Sequence, residues 1–311
     1  MSPPTHGRRR GGRASPAPPA TIGEAWIAGR EHLEALGVPE AAITAEVLLR
    51  HALNLTRTQL YVAWGRSVGP DAWARYEALL DERATGRPLA YIVGRREFMG
   101  LGFLVDERVL IPRPETEILV ETVLEALRDT PGPLVADVGT GSGAIAISVA
   151  VARPDARVLA TDLAPEALEV ARANAARHGV AERVRFLEGD LLEPLVAAGA
   201  RPDLIACNPP YVAPEDAAGL PREIRDFEPR IAVVAPGFGE SVHARLIAGA
   251  PAVLPPGGWL VMEAAAGQGP RVIELLHRSG AFDAPLVRRD GLGWDRVVAA
   301  RVPTAPGRRR E

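Results

Sequence analysis

Between Leu134 and Met262, five short apolar runs alternate with helical stretches, and that alternation constrains the fold more than any other feature of the 311 residues. The runs are Leu134–Val138, Val158–Thr161, Val184–Glu188, Leu204–Cys207 and Trp259–Met262. Strands recurring after helical intervals read as βαβ units of a mainly parallel sheet. The pattern breaks at the end, where Leu286–Arg289 and Arg296–Ala300 flank Asp290-Gly291-Leu292-Gly293. A connection that short predicts an antiparallel last pair. The expected fold class is α/β, with a Rossmann-like sheet that closes on an antiparallel strand.

Ahead of this region the periodicity is different. Residues 1–20 are mostly Pro, Gly, Ala and Arg, with little to bury, and read as a disordered tail whose Arg8-Arg9-Arg10 is a solvated run. From residue 21 to 87 apolar residues recur at helical spacing: Trp26, Leu33 and Leu36, then Ile43, Val47 and Leu48, then Trp73, Tyr76, Leu79 and Leu80. Gly37-Val38-Pro39 and Gly69-Pro70-Asp71 punctuate these helices. The segment is expected to be a small helical domain that docks a partner. Residues 88–111 change period, with Tyr91-Ile92-Val93 and Phe103-Leu104-Val105 read as the strands of a β-hairpin linker. The sheet domain then spans 112–302, opening with an amphipathic helix through Leu119, Val120, Val123, Leu124 and Leu127, and residues 303–311 form a second basic tail.

The totals remove several classes of function. A formal charge of −3 argues against a protein that coats nucleic acid, which would carry a basic stripe. The single Cys excludes an internal disulfide and a cysteine-rich zinc site, and the six His show no ligand spacing, so no metal is expected. No apolar run reaches membrane-spanning length, and the basic N-terminus has no apolar core behind it. A cytoplasmic monomer is the expectation.

Chemistry-bearing residues sit where strands end. Asp137-Val138-Gly139-Thr140-Gly141-Ser142-Gly143 closes the first run, and its glycines allow a tight turn against a ligand. The spacing of Gly139, Gly141 and Ala144 also fits a dinucleotide loop, but a carboxylate at its mouth repels pyrophosphate and favours a cation. Asp162 ends the second run, where it can accept ribose hydroxyls, and Asp190 with Leu191 follows the third, where adenine can be read and packed. Adenine, ribose and a positive centre without phosphate describe S-adenosylmethionine. The fourth run ends at Asn208-Pro209-Pro210-Tyr211. Proline donates no hydrogen bond and stiffens the backbone, so the Asn208 side chain and the Pro209 carbonyl offer two acceptors to one planar –NH2. Cys207, in an apolar strand, reads as an inert buried thiol, and Glu263 as a cap or a pocket wall.

These motifs resemble class I methyltransferases, which carry an acidic-x-Gly-x-Gly-x-Gly loop, an acid after the second strand and Asn/Asp-Pro-Pro-aromatic after the fourth. The chain is most similar to the N5-glutamine methyltransferases of peptide-chain release factors (the PrmC/HemK family). The closer likeness lies in Arg113-Pro114-Glu115-Thr116-Glu117, Glu97-Phe98, Glu228-Pro229-Arg230 and Asp290 with Asp295-Arg296-Val297-Val298. It runs from the helical segment to about Val302. The resemblance implies a methyl transfer from S-adenosylmethionine to the glutamine of a Gly-Gly-Gln motif. Asn208, Pro209, Pro210 and Tyr211 then hold the substrate beside Arg113, while Asp137, Gly139, Thr140, Gly141, Ser142, Gly143, Asp162, Asp190, Leu191 and Asn208 hold the cofactor. One departure is Val233–Ser241, which replaces the family's Gly-Gly-x-Asp-Gly-Leu-like turn and leaves its shape open. The alternatives are methylation of a ribosomal-protein glutamine or of nucleic-acid adenine, and a non-catalytic scaffold that binds cofactor and partner.

Overall fold

The structure, a computed structural model, describes residues 20–235 and 239–304. Most of the two expected tails, 1–19 and 305–311, and the middle of the divergent loop, 236–238, lie outside the described residues. The chain divides into two compact units at Ile92/Val93.

The first unit is helical: Ile22–Ala35, Ala41–Leu53, Arg57–Val62 and Pro70–Ala84. Thr21 opens the first helix with a capping box, its hydroxyl accepting from the Glu24 N–H while the Glu24 carboxylate accepts from the Thr21 N–H. Leu33, Leu48, Leu49, Leu60 and Tyr76 are fully buried. Two residues expected at core spacing are not. Ile43 is 57% exposed because Ala41, Ala45, Leu48, Leu49 and Ala52 define the buried face of its helix, and Leu36 is exposed as the C-cap of the preceding one.

The hairpin starts later than its sequence suggests. Tyr91-Ile92-Val93 form a helical turn, Leu89–Val93, since the Pro88 carbonyl accepts the N–H groups of Tyr91 and Ile92. The strands are β1 (Arg95–Phe98) and β2 (Leu101–Leu104), antiparallel with Phe98 opposite Leu101. Met99 and Gly100 make the two-residue turn, both at positive φ (51° and 69°). Phe98 and Phe103 are buried in the core of the second unit, in one cluster with Leu119, Val120 and Val123 of the helix Glu115–Ala126.

The second unit is built on a seven-stranded sheet: β3 (Leu134–Val138), β4 (Arg157–Asp162), β5 (Val184–Glu188), β6 (Leu204–Cys207), β7 (Trp259–Glu263), β8 (Leu286–Arg289) and β9 (Asp295–Arg301). Their spatial order is β5-β4-β3-β6-β7-β9-β8. β3 to β7 run parallel, while β9 is antiparallel to both β7 and β8. β6 shows an unbroken buried pattern, as expected of a strand covered on both faces. One apolar cluster packs on each face. The chain reverses its direction of winding between β3 and β6. Ligands of open α/β sheets bind at such a switch point, beyond the carboxyl ends of the strands.

Candidate active site

Register brings the sequence motifs together. Val138 pairs with Cys207 and with Thr161, and Cys207 pairs with Met262. Gly139, Asp162, Asn208 and Glu263 therefore leave the sheet at one level on four adjacent strands, although 124 residues separate the ends of β3 and β7 in Val138 and Met262 numbering. 

The glycine loop is hung from its neighbours by hydrogen bonds. Gly139 and Thr140 donate to the Thr161 carbonyl (2.9 and 2.8 Å), and Gly141 donates to Asp162 Oδ2 (2.8 Å). Gly139 and Gly141 hold φ of 73° and 54°, and a Cβ built on either meets no atom within 4 Å. The space beside them is open for a ligand. Asp137 is wholly buried. Its Oδ2 accepts from Thr140 Oγ1 (2.6 Å) and from the Ala146 N–H (3.0 Å), while its Oδ1 has no hydrogen-bond partner. Burial pushes its carboxyl up to about 7, against the pull of those two hydrogen bonds. Burial likewise raises Asp162, and pushes Glu263 up to about 7. Three carboxyls at adjacent strand ends give a site that a cation would relieve. The orphan oxygen and the open glycine turn fit the sulfonium nucleoside expected from the sequence.

The other expected cofactor residues fall as follows. Asp162 spans the loop, its Oδ1 accepting the Ala164 N–H (3.0 Å). Asp190 is paired with Arg245 at 2.6 Å, and Leu191, at φ 49°, accepts from Thr161 Oγ1. Ser142 is buried, and its carbonyl accepts from Asn174 Nδ2 (2.9 Å).

At the proline corner, Asn208 Nδ2 donates to Thr116 Oγ1 (3.1 Å), and Thr116 Oγ1 donates to Glu263 Oε2 (2.6 Å). Among the described residues no donor engages the Asn208 Oδ1 or the Pro209 carbonyl. Asn208, Pro209, Pro210 and Tyr211 line a cavity of about 150 Å³ together with Leu110 and Arg113. Tyr211 also borders an open groove of about 710 Å³ running past Leu220 and Gln268. Burial pushes the Tyr211 hydroxyl up to about 12, so it stays protonated. Arg113 is committed to the protein: its guanidinium donates to the buried Glu228 at 2.5 Å. Cys207 is buried with its thiol pushed well up by burial, and cannot act as a nucleophile.

Two residues in this framework are not among the site candidates of the sequence, although Thr116 lies within the Arg113–Glu117 motif. Thr116 reaches Asn208 across 92 positions of sequence. Asn174, a buried polar residue in the helix Pro165–Arg177, accepts the Leu104 N–H and donates to the carbonyls of Leu104 and Ser142, tying hairpin to glycine loop. Its only trace in the sequence is an amide on an otherwise apolar helix face.

The raised carboxyls predict a pH dependence. Asp137 moves from 3.8 to about 7 and Glu263 from 4.5 to about 7. Between those limits the folded protein holds protons that the unfolded chain releases, so their contribution is fully present at low pH and is lost as pH rises through about 7. His243, lowered by burial, acts in the opposite sense over part of that window. Melting of the ligand-free protein is expected to fall from about pH 5 to pH 7, with Asp137→Asn flattening the slope. An unchanged slope in that variant would mean that Asp137 is ionised throughout.

Comparison with known proteins agrees with this geometry. A family model described as the PrmC N-terminal domain matches residues 24–94, and one described as the methyltransferase small domain matches residues 114–221. The chain is 44% identical over 289 residues to a release factor glutamine methyltransferase of Nitratidesulfovibrio vulgaris, covering 91% of this chain and 97% of that protein. It is 42% identical over 280 residues to the one from Moorella thermoacetica, covering 90% and 98%. Among solved structures, the hMettl16 catalytic domain in complex with an RNA hairpin shares the fold, with TM-score 0.55 at 18% identity, over 74% of this chain and 83% of that one.

Proposed function

The chain belongs to the release factor glutamine methyltransferase family, and we propose that its own reaction is methylation of the N5 amide nitrogen in the Gly-Gly-Gln motif of peptide-chain release factors, with S-adenosylmethionine as donor. The observation that carries this reading is the pair of ungripped acceptors at Asn208 and Pro209, held level with the glycine loop by the pairing of Val138 with Cys207. A primary amide has two N–H donors, and that corner offers two oxygens.

S-adenosylmethionine supplies an electrophilic methyl group on a sulfonium. Asp137, Asp162 and the turn at Gly139 and Gly141 are the groups that would hold it, with Asp190 and Leu191 beyond. Leu163, half exposed between Asp162 and Ala164, offers a further apolar surface for a purine. An amide nitrogen is a poor nucleophile because its lone pair is delocalised into the carbonyl. The Asn208 Oδ1 and the Pro209 carbonyl accept its two hydrogens, orient it, and stabilise the positive charge that develops during attack. Tyr211 packs on the amide face. Alignment of this kind is worth roughly 7–11 kcal/mol of barrier. The N-methylated, protonated amide is strongly acidic and yields its proton to water, so no general base is assigned. The helical unit docks the release factor, and the protein works as a single cytoplasmic chain without nucleic acid, in keeping with its net charge of −3.

The test is mass spectrometry of the tip peptide after incubation of release factor, enzyme and S-adenosylmethionine. One methyl group is expected on the glutamine, and none on a factor carrying Ala there. Transfer to an adenine oligonucleotide instead would replace this reading, and cofactor binding without transfer to either would leave a scaffold.

A further inference from the structure

An asparagine amide presents nearly the same shape whichever way it is turned, but its two ends do opposite things. Oδ1 toward the substrate accepts a hydrogen bond, whereas Nδ2 there sets donor against donor. Nothing in Asn208-Pro209-Pro210-Tyr211 itself makes the choice. We propose that Thr116 and Glu263 make it, as positioning residues whose hydrogen-bond polarity turns the Asn208 oxygen toward the substrate and is set by the protonation of Glu263.

The polarity follows from counting protons. Thr116 has one hydroxyl hydrogen. Ionised Glu263 is an acceptor only, and its Oε2 lies 2.6 Å from Thr116 Oγ1, so that hydrogen goes to Glu263. The oxygen of Thr116 then has only lone pairs left to offer, and Asn208 must meet it with Nδ2, as found at 3.1 Å. The Oδ1 is left facing away, free to accept. Protonation at Oε2 lets the order reverse: Glu263 donates to Thr116, Thr116 donates to Asn208, and the amide is stable in the flipped sense.

Glu263 and Thr116 are 1% and 4% exposed, so these bonds are made away from bulk solvent. The groups acting on the Glu263 carboxyl come from several elements. Glu115, on the helix of Thr116, disfavours its charge; Arg296 on β9 and Arg113 on the preceding loop favour it. The negative charge also acts on Tyr211 and Cys207, and His243 sits with Nε2 2.7 Å from the Glu263 backbone carbonyl. Burial dominates, which brings the carboxyl to about 7 and hence within reach of mild acid.

The inference rests on the glutamine-methylating reading above. Its test is the pH profile of kcat with release factor and saturating S-adenosylmethionine, over about pH 6 to 8.5, where kcat reports groups of the loaded enzyme. Wild-type kcat is expected to fall toward acid as the Glu263 carboxyl takes up its proton, at or below about 7, because the positive sulfonium of the bound donor favours the carboxylate. Glu263→Gln, which has no proton to gain, is expected to lose that acid limb. Thr116→Val is expected to drop kcat by roughly 10- to 100-fold with cofactor affinity unchanged, and Thr116→Ser to recover most of the rate together with the acid limb. A Glu263→Gln enzyme that keeps the limb, or a Thr116→Val enzyme with wild-type kcat, overturns the relay. The threonine pair carries the test if Glu263→Gln does not fold. A wild-type enzyme that leaves the glutamine unmethylated overturns the underlying reading, and the relay with it.

Discussion

Replacing Asn208 by alanine is expected to bring methyl transfer close to zero while weakening S-adenosylmethionine binding far less. On the proposed reading the substitution removes one of the two acceptors for the glutamine nitrogen, worth about 1–3 kcal/mol as a hydrogen bond to a group that gains charge. It also releases the rotation of the amide, which costs alignment out of the larger entropic contribution to the barrier. The cofactor loop keeps its own anchors on Thr161 and Asp162, so affinity there is held by residues the mutation does not touch. Single-turnover transfer measured beside calorimetric cofactor binding separates the two effects. Near wild-type transfer by the variant would remove Asn208 from the chemistry. A matched loss of both would make it a cofactor ligand only.

The largest effect on stability is expected from Arg113→Met. Glu228 has a side chain only 1% exposed, accepting from Arg113 Nη2 at 2.5 Å and from the Ile111 N–H at 3.2 Å. Without the guanidinium its carboxylate is buried with one backbone donor. Breaking a buried pair from one side costs about 3–5 kcal/mol, and the lower end applies because Arg113 is itself 28% exposed. For a unit of this size about 3 kcal/mol lowers Tm by roughly 6–12 °C. Removing both partners, as Arg113→Met with Glu228→Leu, should recover most of the loss, since an apolar pair replaces an ion pair at little net cost. A Tm drop within a degree or two for the single variant would show the pair to be solvated. A double variant that is stable yet needs far more release factor would make Arg113 a substrate contact as well, the role its place beside Asn208 suggested from sequence.

Much of this architecture is legible in the sequence alone. Strands read as runs ending in Val138, Thr161, Glu188 and Cys207 end within a residue of those positions. For β3 and β6 the reason is that buried parallel strands are apolar stretches bounded by glycine or polar residues, whereas β5, at the sheet edge, alternates with exposed Arg185 and Glu188. β1 leaves little trace in the sequence because Arg95-Arg96-Glu97-Phe98 carries one buried residue in four, and a strand with one wet face and charged side chains has no apolar run. Tyr91-Ile92-Val93 misleads for the converse reason: three β-prone residues are too few to outweigh a helical turn begun by Pro88. Asp137, Asp162 and Asn208 stand out in the sequence because each lies at or next to the end of an apolar run, and strand register brings them to one end of the sheet. Thr116 and Glu263 could not be connected by reading along the chain. Their bond spans 147 positions and exists only because the helix Glu115–Ala126 is laid across β6 and β7. The divergent loop entered at Val233 is partly resolved by pairing: Val212 donates to the Val233 carbonyl and Ala235 to that of Val212.

The pairing of Val138 with Cys207 has a consequence for how such an enzyme can change. A strand slipped by one residue would carry its last side chain about 3.3 Å along the sheet and turn it to the opposite face. On the proposed reading donor and acceptor are thus spaced by a backbone ladder, which does not drift by small steps, while the walls past Tyr211 are loop and helix ends that do. New acceptors can be recruited by redrawing those walls, with the reacting distance inherited intact.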